Sequence, residues 1–212
     1  MIPKQIIQTS RKKPEQYVVD MIKERSIGWT YSHFNDEEVI RFFKENPLVE
    51  FPNVIQKFYS FSYGEHRADL FRYYYLYVKG GVYFDTDAMI EVNMDSIVKD
   101  YEYFSVNSNY FPKSIFQGFI GCIPEHPIIY EGLKNIYLTD NFMLIEKPQN
   151  FHDICRNMYV FVSEYPDKTK IKLYEEIFGN NTTANIVDLH DNRLILKHYH
   201  INKIIPKSEF TS

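Results

Sequence analysis

The sequence is poor in cysteine, glycine and tryptophan, and it contains no long apolar run. Its two cysteines, Cys122 and Cys155, lack the close spacing of a metal or redox motif. This excludes a disulfide scaffold and is typical of buried thiols in a reducing compartment. No apolar stretch approaches the roughly 20 residues of a membrane-spanning helix, and no secretory leader is evident. We therefore expect a cytoplasmic protein with no membrane span.

The chain also lacks an excess of basic residues, since 24 Lys and Arg stand against 28 Asp and Glu, for a net charge of −4. This balance argues against a nucleic-acid partner, and the short basic cluster at 11–13 is typical of a solvated loop. Aromatic residues are abundant instead, with 18 Tyr and 17 Phe. Such a content excludes disorder, and it fits either ligand-binding aromatic platforms or a compositional bias.

The 212 residues favour one domain, large enough to fold without a disulfide or a metal. We assign this domain to residues 1–207 and a flexible tail to residues 208–212. The first patterns, strand, helix, strand and helix, predict an α/β domain with a partly parallel sheet. Predicted strands cover 3–9, 29–34, 82–84, 103–106 and 116–123, with a later hairpin from 185–189 and 194–199. Predicted helices cover 14–25, 37–44, 54–61, 65–79, 127–137, 151–163 and 171–178.

Two aspartates follow the apolar strand at 82–84, in the stretch GGVYFDTDAMIE. Asp85 and Asp87 lie at positions i and i+2, so their carboxylates share one face of an extended backbone. Two carboxylates on one face repel each other unless a cation, a proton or a ligand lies between them. Oxygen ligands at the end of a buried strand indicate a hard divalent cation close to a phosphate.

The predicted helix before this strand carries a second polar pair, Asp69 and Arg72, at i and i+3. One interpretation is an ordinary exposed ion pair, which contributes a few tenths of a kcal/mol. The other follows from the sharp turn that Gly80 and Gly81 predict. If the helix leads directly into the strand, its polar pair lies beside the two aspartates.

The run from Ala68 to Asp87 reads ADLFRYYYLYVKGGVYFDTD. It resembles the signature of the DXD-containing glycosyltransferases of family 32, apart from Phe71 at a position where leucine is usual. That family includes outer-chain mannosyltransferases and capsular and lipopolysaccharide sugar transferases, and it is distantly related to the glucosylating domains of clostridial toxins. The segments IPKQIIQT at 2–9 and FIGCIPEHP at 119–127 are also similar to the family's first and later strands.

The resemblance implies a GT-A fold, an α/β single domain with a mixed, mostly parallel, Rossmann-like sheet flanked by helices. It also implies a nucleotide-sugar donor, Mn2+ or Mg2+ as cofactor, and retention of the anomeric configuration. The expected reaction moves a hexose to a glycan, a protein or another hydroxyl acceptor. UDP-hexose is the preferred donor prediction and GDP-mannose the second.

The same resemblance implies roles for individual residues. Asp87 matches the aspartate that ligates the metal, and Asp85 matches the one that reaches the ribose, the sugar and a metal-bound water. Asp69 and Arg72 match the pair that holds the donor hexose and its pyrophosphate. Asp85, Asp69 and Arg72 are therefore the predicted catalytic residues. Thr9 and Ser10, at the end of the first strand, are expected in the donor site.

Two departures from the family pattern concern the donor base and the metal. Ser10 stands where the family usually has a tryptophan that packs on the base, so Trp29, Tyr31 or a helix tyrosine would have to replace it. Near the C-terminus the chain has KHYH at 197–200 instead of a metal ligand followed by Ser-Trp. His198 is the preferred third metal ligand, and His200 is the alternative. The family's acceptor-side Thr-Gly-Pro motif does not occur at 141–180.

Two other functions remain open from the residues. Haloacid-dehalogenase-like phosphatases also place an apolar strand before Asp-x-Asp, with the first aspartate as nucleophile. A catalytically degenerate transferase that still binds a nucleotide sugar is the non-enzymatic alternative.

Overall fold

The computed structural model describes residues 1–98, 100–146, 150–180, 183–200 and 203–210. The strands are β1 (Gln5–Thr9), β2 (Thr30–Phe34), β3 (Gly81–Phe84), β4 (Ala88–Ile90), β5 (Tyr103–Asn107), β6 (Ile115–Cys122), β7 (Ile171–Asn180), β8 (Thr183–Asp188) and β9 (Arg193–His198). The helices are α1 (Gln16–Arg25), α2 (Asp36–Glu45), α3 (Val54–Ser60), α4 (Gly64–Lys79), α5 (Asp95–Val98), α6 (Pro127–Leu138), α7 (Asn141–Glu146) and α8 (Asp153–Glu164). Short 3-10 turns cover Lys168–Lys170 and Lys207–Phe210.

The strands within these ranges form one mixed sheet in the order β2-β1-β3-β6-β5-β7-β8-β9-β4. β4 begins a few residues after β3 ends, yet it pairs with β9 at the opposite edge of the sheet. The sheet must therefore curl, so that its β4 edge lies close to the end of β3. With helices packed against it, the molecule is a single α/β domain, as predicted.

The prediction of a mostly parallel sheet is wrong. Only the pairs β1–β2, β1–β3 and β5–β7 are parallel within the described residues, and the other neighbouring pairs are antiparallel. The physical reason is the length of the connections. The loops between β5 and β6, and between β8 and β9, are too short for the crossover that a parallel pair requires.

The prediction of a helix at 171–178 is also wrong, because Ile171–Asn180 is strand β7. It lies between β5, to which it is parallel, and β8, to which it is antiparallel. Its buried side chains alternate, with Tyr174 and Glu176 on the covered face. Pairing on both sides therefore decides the conformation of a segment whose helical and strand tendencies are similar.

Helix α4 is the most deeply buried helix near the site. Leu70, Tyr73 and Tyr74, from the predicted apolar face, are fully buried, and Tyr77 is half-buried. Because the helix is covered on nearly all sides, its polar residues Asp69 and Arg72 are buried as well, 6% and 5% exposed. The pair is therefore not the ordinary exposed ion pair that one interpretation allowed.

Gly80 and Gly81 make the turn from α4 into β3. Both have positive φ, 66° and 101°, a region that residues with a Cβ rarely adopt. A Cβ at Gly80 would also lie 2.8 Å from the carbonyl oxygen of Cys122. The sharp turn that the two glycines predict is present, and it places α4 beside the end of β3.

In the described part of the chain, no helix combines the length and apolar character needed to cross a membrane. Residues 208–210 of the predicted tail belong to the last 3-10 turn, where Glu209 pairs with Lys197 at 3.2 Å. Residues 211–212 lie outside the described residues.

Candidate active site

The two aspartates lie in the tight turn between β3 and β4. The backbone N–H of Asp85 donates to the carbonyl of Gly118 at 3.1 Å, and the N–H of Ala88 donates to the carbonyl of Asp85 at 3.1 Å. These bonds fix the turn against β6. Asp85 and Asp87 are half-buried at its surface.

His198 reaches the aspartates because β9 pairs with β4. In this pairing His198 is opposite Ala88, and the N–H of Tyr199 donates to the carbonyl of Asp87 at 2.9 Å. Nε2 of His198 lies 3.3 Å from Oδ1 of Asp87 and 4.0 Å from Oδ2 of Asp85. One ligand atom from each of the three residues lies within 4.8 Å of the others.

The chemistry of this cluster fits a divalent cation. Two carboxylates and one imidazole are the oxygen and nitrogen ligands of divalent transition metals, whereas Mg2+ prefers oxygen ligands alone. Burial lowers the pKa of His198, but the hydrogen bond and charge of Asp87 and the charge of Asp85 outweigh it, so the pKa lies above its ordinary value. The site therefore already attracts positive charge between its carboxylates.

Arg72 of α4 extends from the helix to the first aspartate. Its guanidinium donates to the carbonyl of Gln117 and, at 3.1 Å, to the hydroxyl of Tyr83. It lies 3.4 Å from Oδ1 of Asp69 and 3.5 Å from Oδ1 of Asp85, and it covers the Tyr83 ring at 4.2 Å from the centroid. These contacts hold one cation in a fixed orientation beside the metal-ligand cluster.

Burial affects the protonation of this network. It raises the pKa of Asp69, against the opposing charge of Arg72. Burial opposes the charge on Arg72, but Tyr83, Asp69 and Asp85 outweigh it, so its pKa is raised and the guanidinium stays charged. Burial raises the pKa of Tyr83 well above its ordinary value, so the phenol keeps the proton that it donates.

Two cavities meet at this network. The first, of about 600 Å³, contains Asp85, Asp87 and His198, together with Thr9, Ser10, Arg11, Asp36, Phe58 and Arg67. The second, of about 380 Å³, contains Asp69 and a set of aromatic side chains. Glu65, Arg72, Asp85, His198 and His200 line both. A ligand that filled both cavities would therefore pass directly over Arg72 and Asp85.

The structure brings all the predicted site residues to these cavities, while their roles stay predictions. The hydroxyls of Thr9 and Ser10 are already engaged, the first with the carbonyl of Phe34 at 2.9 Å and the second with the carbonyl of Lys12 at 2.5 Å. His200 lies outside the metal-ligand cluster, with its ring 5.8 Å from that of His198.

The residues proposed to replace the missing tryptophan lie elsewhere. Trp29 donates its indole N–H to Asp95, and Tyr31 donates its hydroxyl to Gln8, so neither faces the first cavity. Phe58 does line it, with the Arg67 guanidinium 5.6 Å from the centroid of its ring. Sequence reasoning also missed Tyr83, although its spacing of two residues from Asp85 in a strand places both side chains on one face.

The candidate metal ligands lie beside a fixed arginine, at the end of a buried strand in an α/β domain. This arrangement is suited to a metal-bound diphosphate. Residues 4–104 match the family model of the glycosyltransferase sugar-binding region containing DXD motif. The predicted resemblance to the DXD-containing glycosyltransferases is thus confirmed for this region.

Particular relatives are mannosyltransferases. Mannosyl phosphorylinositol ceramide synthase CSH1 of Saccharomyces cerevisiae is 31% identical over 140 residues, which are 64% of this chain and 35% of that protein. Inositol phosphoceramide mannosyltransferase 1 of Schizosaccharomyces pombe is 28% identical over 109 residues, which are 51% of this chain and 32% of that protein. The alignments thus span about a third of the length of these relatives.

Among solved structures, PaToxG glycosyltransferase superimposes with a TM-score of 0.54 at 15% sequence identity, over 77% of this chain and 69% of that chain. This likeness concerns the fold alone.

Proposed function

We propose that this chain is a metal-dependent glycosyltransferase of GT-A type that moves a hexose from a nucleotide-sugar donor to a hydroxyl acceptor with retention of configuration. The observation that carries the proposal is the meeting of Asp85, Asp87 and His198 beside the buried Arg72, at the junction of two cavities. The match at residues 4–104 supports this reading over the phosphatase alternative.

The three clustered side chains would hold Mn2+, which when bound neutralises the diphosphate leaving group. Arg72 stabilises negative charge on the departing phosphate, because Gln117 and Tyr83 already fix its orientation and little reorganisation is needed. Asp69, in the second cavity, accepts hydrogen bonds from hydroxyls of the donor hexose. Retention rests on the family resemblance.

Mannose is the donor sugar that the names of the relatives support, so GDP-mannose takes precedence over the UDP-hexose that we first predicted. One residue of the first cavity favours guanine over uracil as the base of the donor. Asp36 lines this cavity with a half-exposed carboxylate, 3.4 Å from Arg67. A carboxylate only accepts hydrogen bonds, and the pairing edge of guanine offers adjacent amide and amino N–H donors, whereas that of uracil offers one N–H.

Titration calorimetry with GDP-mannose and UDP-glucose, with and without Mn2+, tests the proposal. We expect Mn2+-dependent binding of GDP-mannose that Asp87→Ala abolishes. Asp191→Ala, which removes an exposed carboxylate in the β8–β9 hairpin, is the matched control and should bind normally.

Metal-independent binding, or binding that survives Asp87→Ala, would contradict the proposal. Binding without any release of GDP would favour the degenerate transferase. Release of phosphate from p-nitrophenyl phosphate would favour the phosphatase.

A further inference from the structure

The second cavity is surrounded by aromatic side chains that contact one another in sequence. The ring of Phe151 lies 5.0 Å from that of His152, which lies 4.8 Å from Phe111. Phe111 lies 4.7 Å from Tyr110, and Tyr110 lies 6.1 Å from Phe178, which lies 6.3 Å from His200. We call these six residues the aromatic collar: Tyr110, Phe111, Phe151, His152, Phe178 and His200. All six line the cavity.

Part of the collar is exposed to solvent. Tyr110 is 65% exposed and Phe178 is 43% exposed, and they come from a loop and from strand β7. Two neighbouring large aromatic side chains left in water at the edge of a cavity are typical of a ligand-binding surface. The collar therefore offers apolar area that a ligand would remove from water.

Helix α7 lies next to the collar. The side-chain amide of Asn150, which precedes Phe151, donates to the carbonyl of Met143 at 3.3 Å and so holds α7 next to the collar. Phe142, Met143 and Ile145 of this helix are all exposed. Helix α7 thus exposes apolar side chains near the collar, although none of them lines the cavity.

The floor of the cavity is polar, with Asp69, Arg72 and Asp85. Of the other polar side chains that line the cavity, Glu65 is exposed and lies 3.8 Å from Lys203, and several others are hydrogen-bonded within the protein. Ser114 donates to the carbonyl of Phe111 at 2.6 Å, and the side-chain amide of Gln117 donates to the carbonyl of Ile115 at 2.7 Å. The cavity therefore presents charge at its floor and rings at its mouth.

We infer that the second cavity is the acceptor subsite, and that it takes an amphiphilic acceptor whose hydroxyl-bearing headgroup lies next to the donor sugar, between the floor and the aromatic collar, and whose apolar part lies against the collar. The inference rests on the proposed function, since the floor is where the donor sugar would lie. In the transfer, the acceptor oxygen forms a bond to the anomeric carbon as the bond from that carbon to the diphosphate oxygen breaks. The hydroxyl proton leaves with the diphosphate.

Calorimetry with two probes of the same headgroup tests the inference. n-Octyl α-mannoside, below its micelle concentration, and methyl α-mannoside are titrated separately into the metal-free protein. We expect the octyl compound to bind at least about tenfold more tightly, the effect of burying roughly two methylene groups. The double variant Tyr110→Ala/Phe178→Ala should bind both compounds about equally. The single variant Tyr110→Ala changes only a loop residue, and it should reduce the preference for the octyl compound.

Ile177→Ala is the matched control. Ile177 precedes Phe178 on β7 and is 40% exposed, but its side chain points to the other face of the sheet and does not line the cavity. This variant should keep the octyl preference. Equal binding of the two probes by the wild-type protein, or a preference that survives in the double variant, would overturn the inference.

No donor or metal enters this experiment, so its failure is separate from that of the proposed function. A protein with Mn2+-dependent GDP-mannose binding but no octyl preference would keep the function and lose the amphiphilic acceptor. The converse result would leave an amphiphile-binding cavity without the transferase.

Discussion

The hydroxyl of Tyr83 donates a hydrogen bond of 2.8 Å to Oδ1 of Asp85, two residues farther along the chain. The same hydroxyl accepts a bond from Arg72, whose guanidinium covers the Tyr83 ring. Tyr83 therefore connects the cation of α4 with the first carboxylate of the metal-ligand cluster, and it sets the orientation of both.

Tyr83→Phe should lower the rate of donor turnover by about ten- to a hundredfold, since removing one hydrogen bond to a charged group costs about 1.5–3 kcal/mol. The ring stays in place, so the fold and the stacking with Arg72 should persist. The measurement is GDP release from GDP-mannose, compared with Mn2+ affinity. A fall in turnover without a comparable fall in metal affinity is the expected signature of a positioning residue, and unchanged turnover would contradict it.

His198→Ala should weaken Mn2+ binding at least about tenfold, because loss of an outer partner of a metal ligand already costs that much. His200→Ala should change the affinity by less than about threefold, since His200 lies outside the cluster. Electron paramagnetic resonance of free Mn2+ measures both. Equal losses of affinity in the two variants would show that His198 is not the third metal ligand.

Gly118→Ala should disturb the metal site from the neighbouring strand. A Cβ on Gly118 would collide with the carboxylate of Asp85 and with the ring of Phe116, and both side chains would have to move. We expect Mn2+ affinity to fall about tenfold while the protein stays folded. Gly121→Ala on the same strand collides with Phe104 in the core instead, so it should lower the unfolding temperature without that loss of affinity.

His126 should make the stability depend on pH. Its Nδ1 accepts the N–H of Ile128 at 3.2 Å at the start of α6, and burial lowers its pKa to about 4. The unfolded chain takes up this proton below about pH 6.5, whereas the folded chain resists it, so stability falls as the pH drops from about 6.5 to 4.

The expected loss is roughly 3 kcal/mol over that interval. Denaturant unfolding at several pH values measures it, with His126→Asn as the comparison, because asparagine keeps an acceptor for the cap but does not titrate. A variant with the same slope as the wild type would show that other groups cause the decline.

Much of the fold follows from local patterns in the chain. Asn35 and Glu38 form the capping box at the start of α2, a pattern contained within four residues of the sequence. The two glycines after α4 predicted the sharp turn that brings Asp69 and Arg72 to Asp85. These features depend on neighbours in the sequence, so their signals are complete within a few residues.

The features that were missed depend on distant pairing. β7 is a strand because β5 and β8 lie on either side of it, and no pattern within 171–180 reports those neighbours. The antiparallel share of the sheet, and the position of Phe58 in the first cavity, follow from the same tertiary arrangement. The aromatic collar likewise combines residues from four separate parts of the chain.

The pairing of β4 with β9 assembles the candidate metal site from two distant parts of the sequence. The family pattern ends at residue 104, and it contains two of the three clustered ligands. The third lies on β9, far from the other two in the sequence. A bound ion would thus connect two distant segments of the chain, and during synthesis the site would be complete only after β9 had emerged and paired with β4.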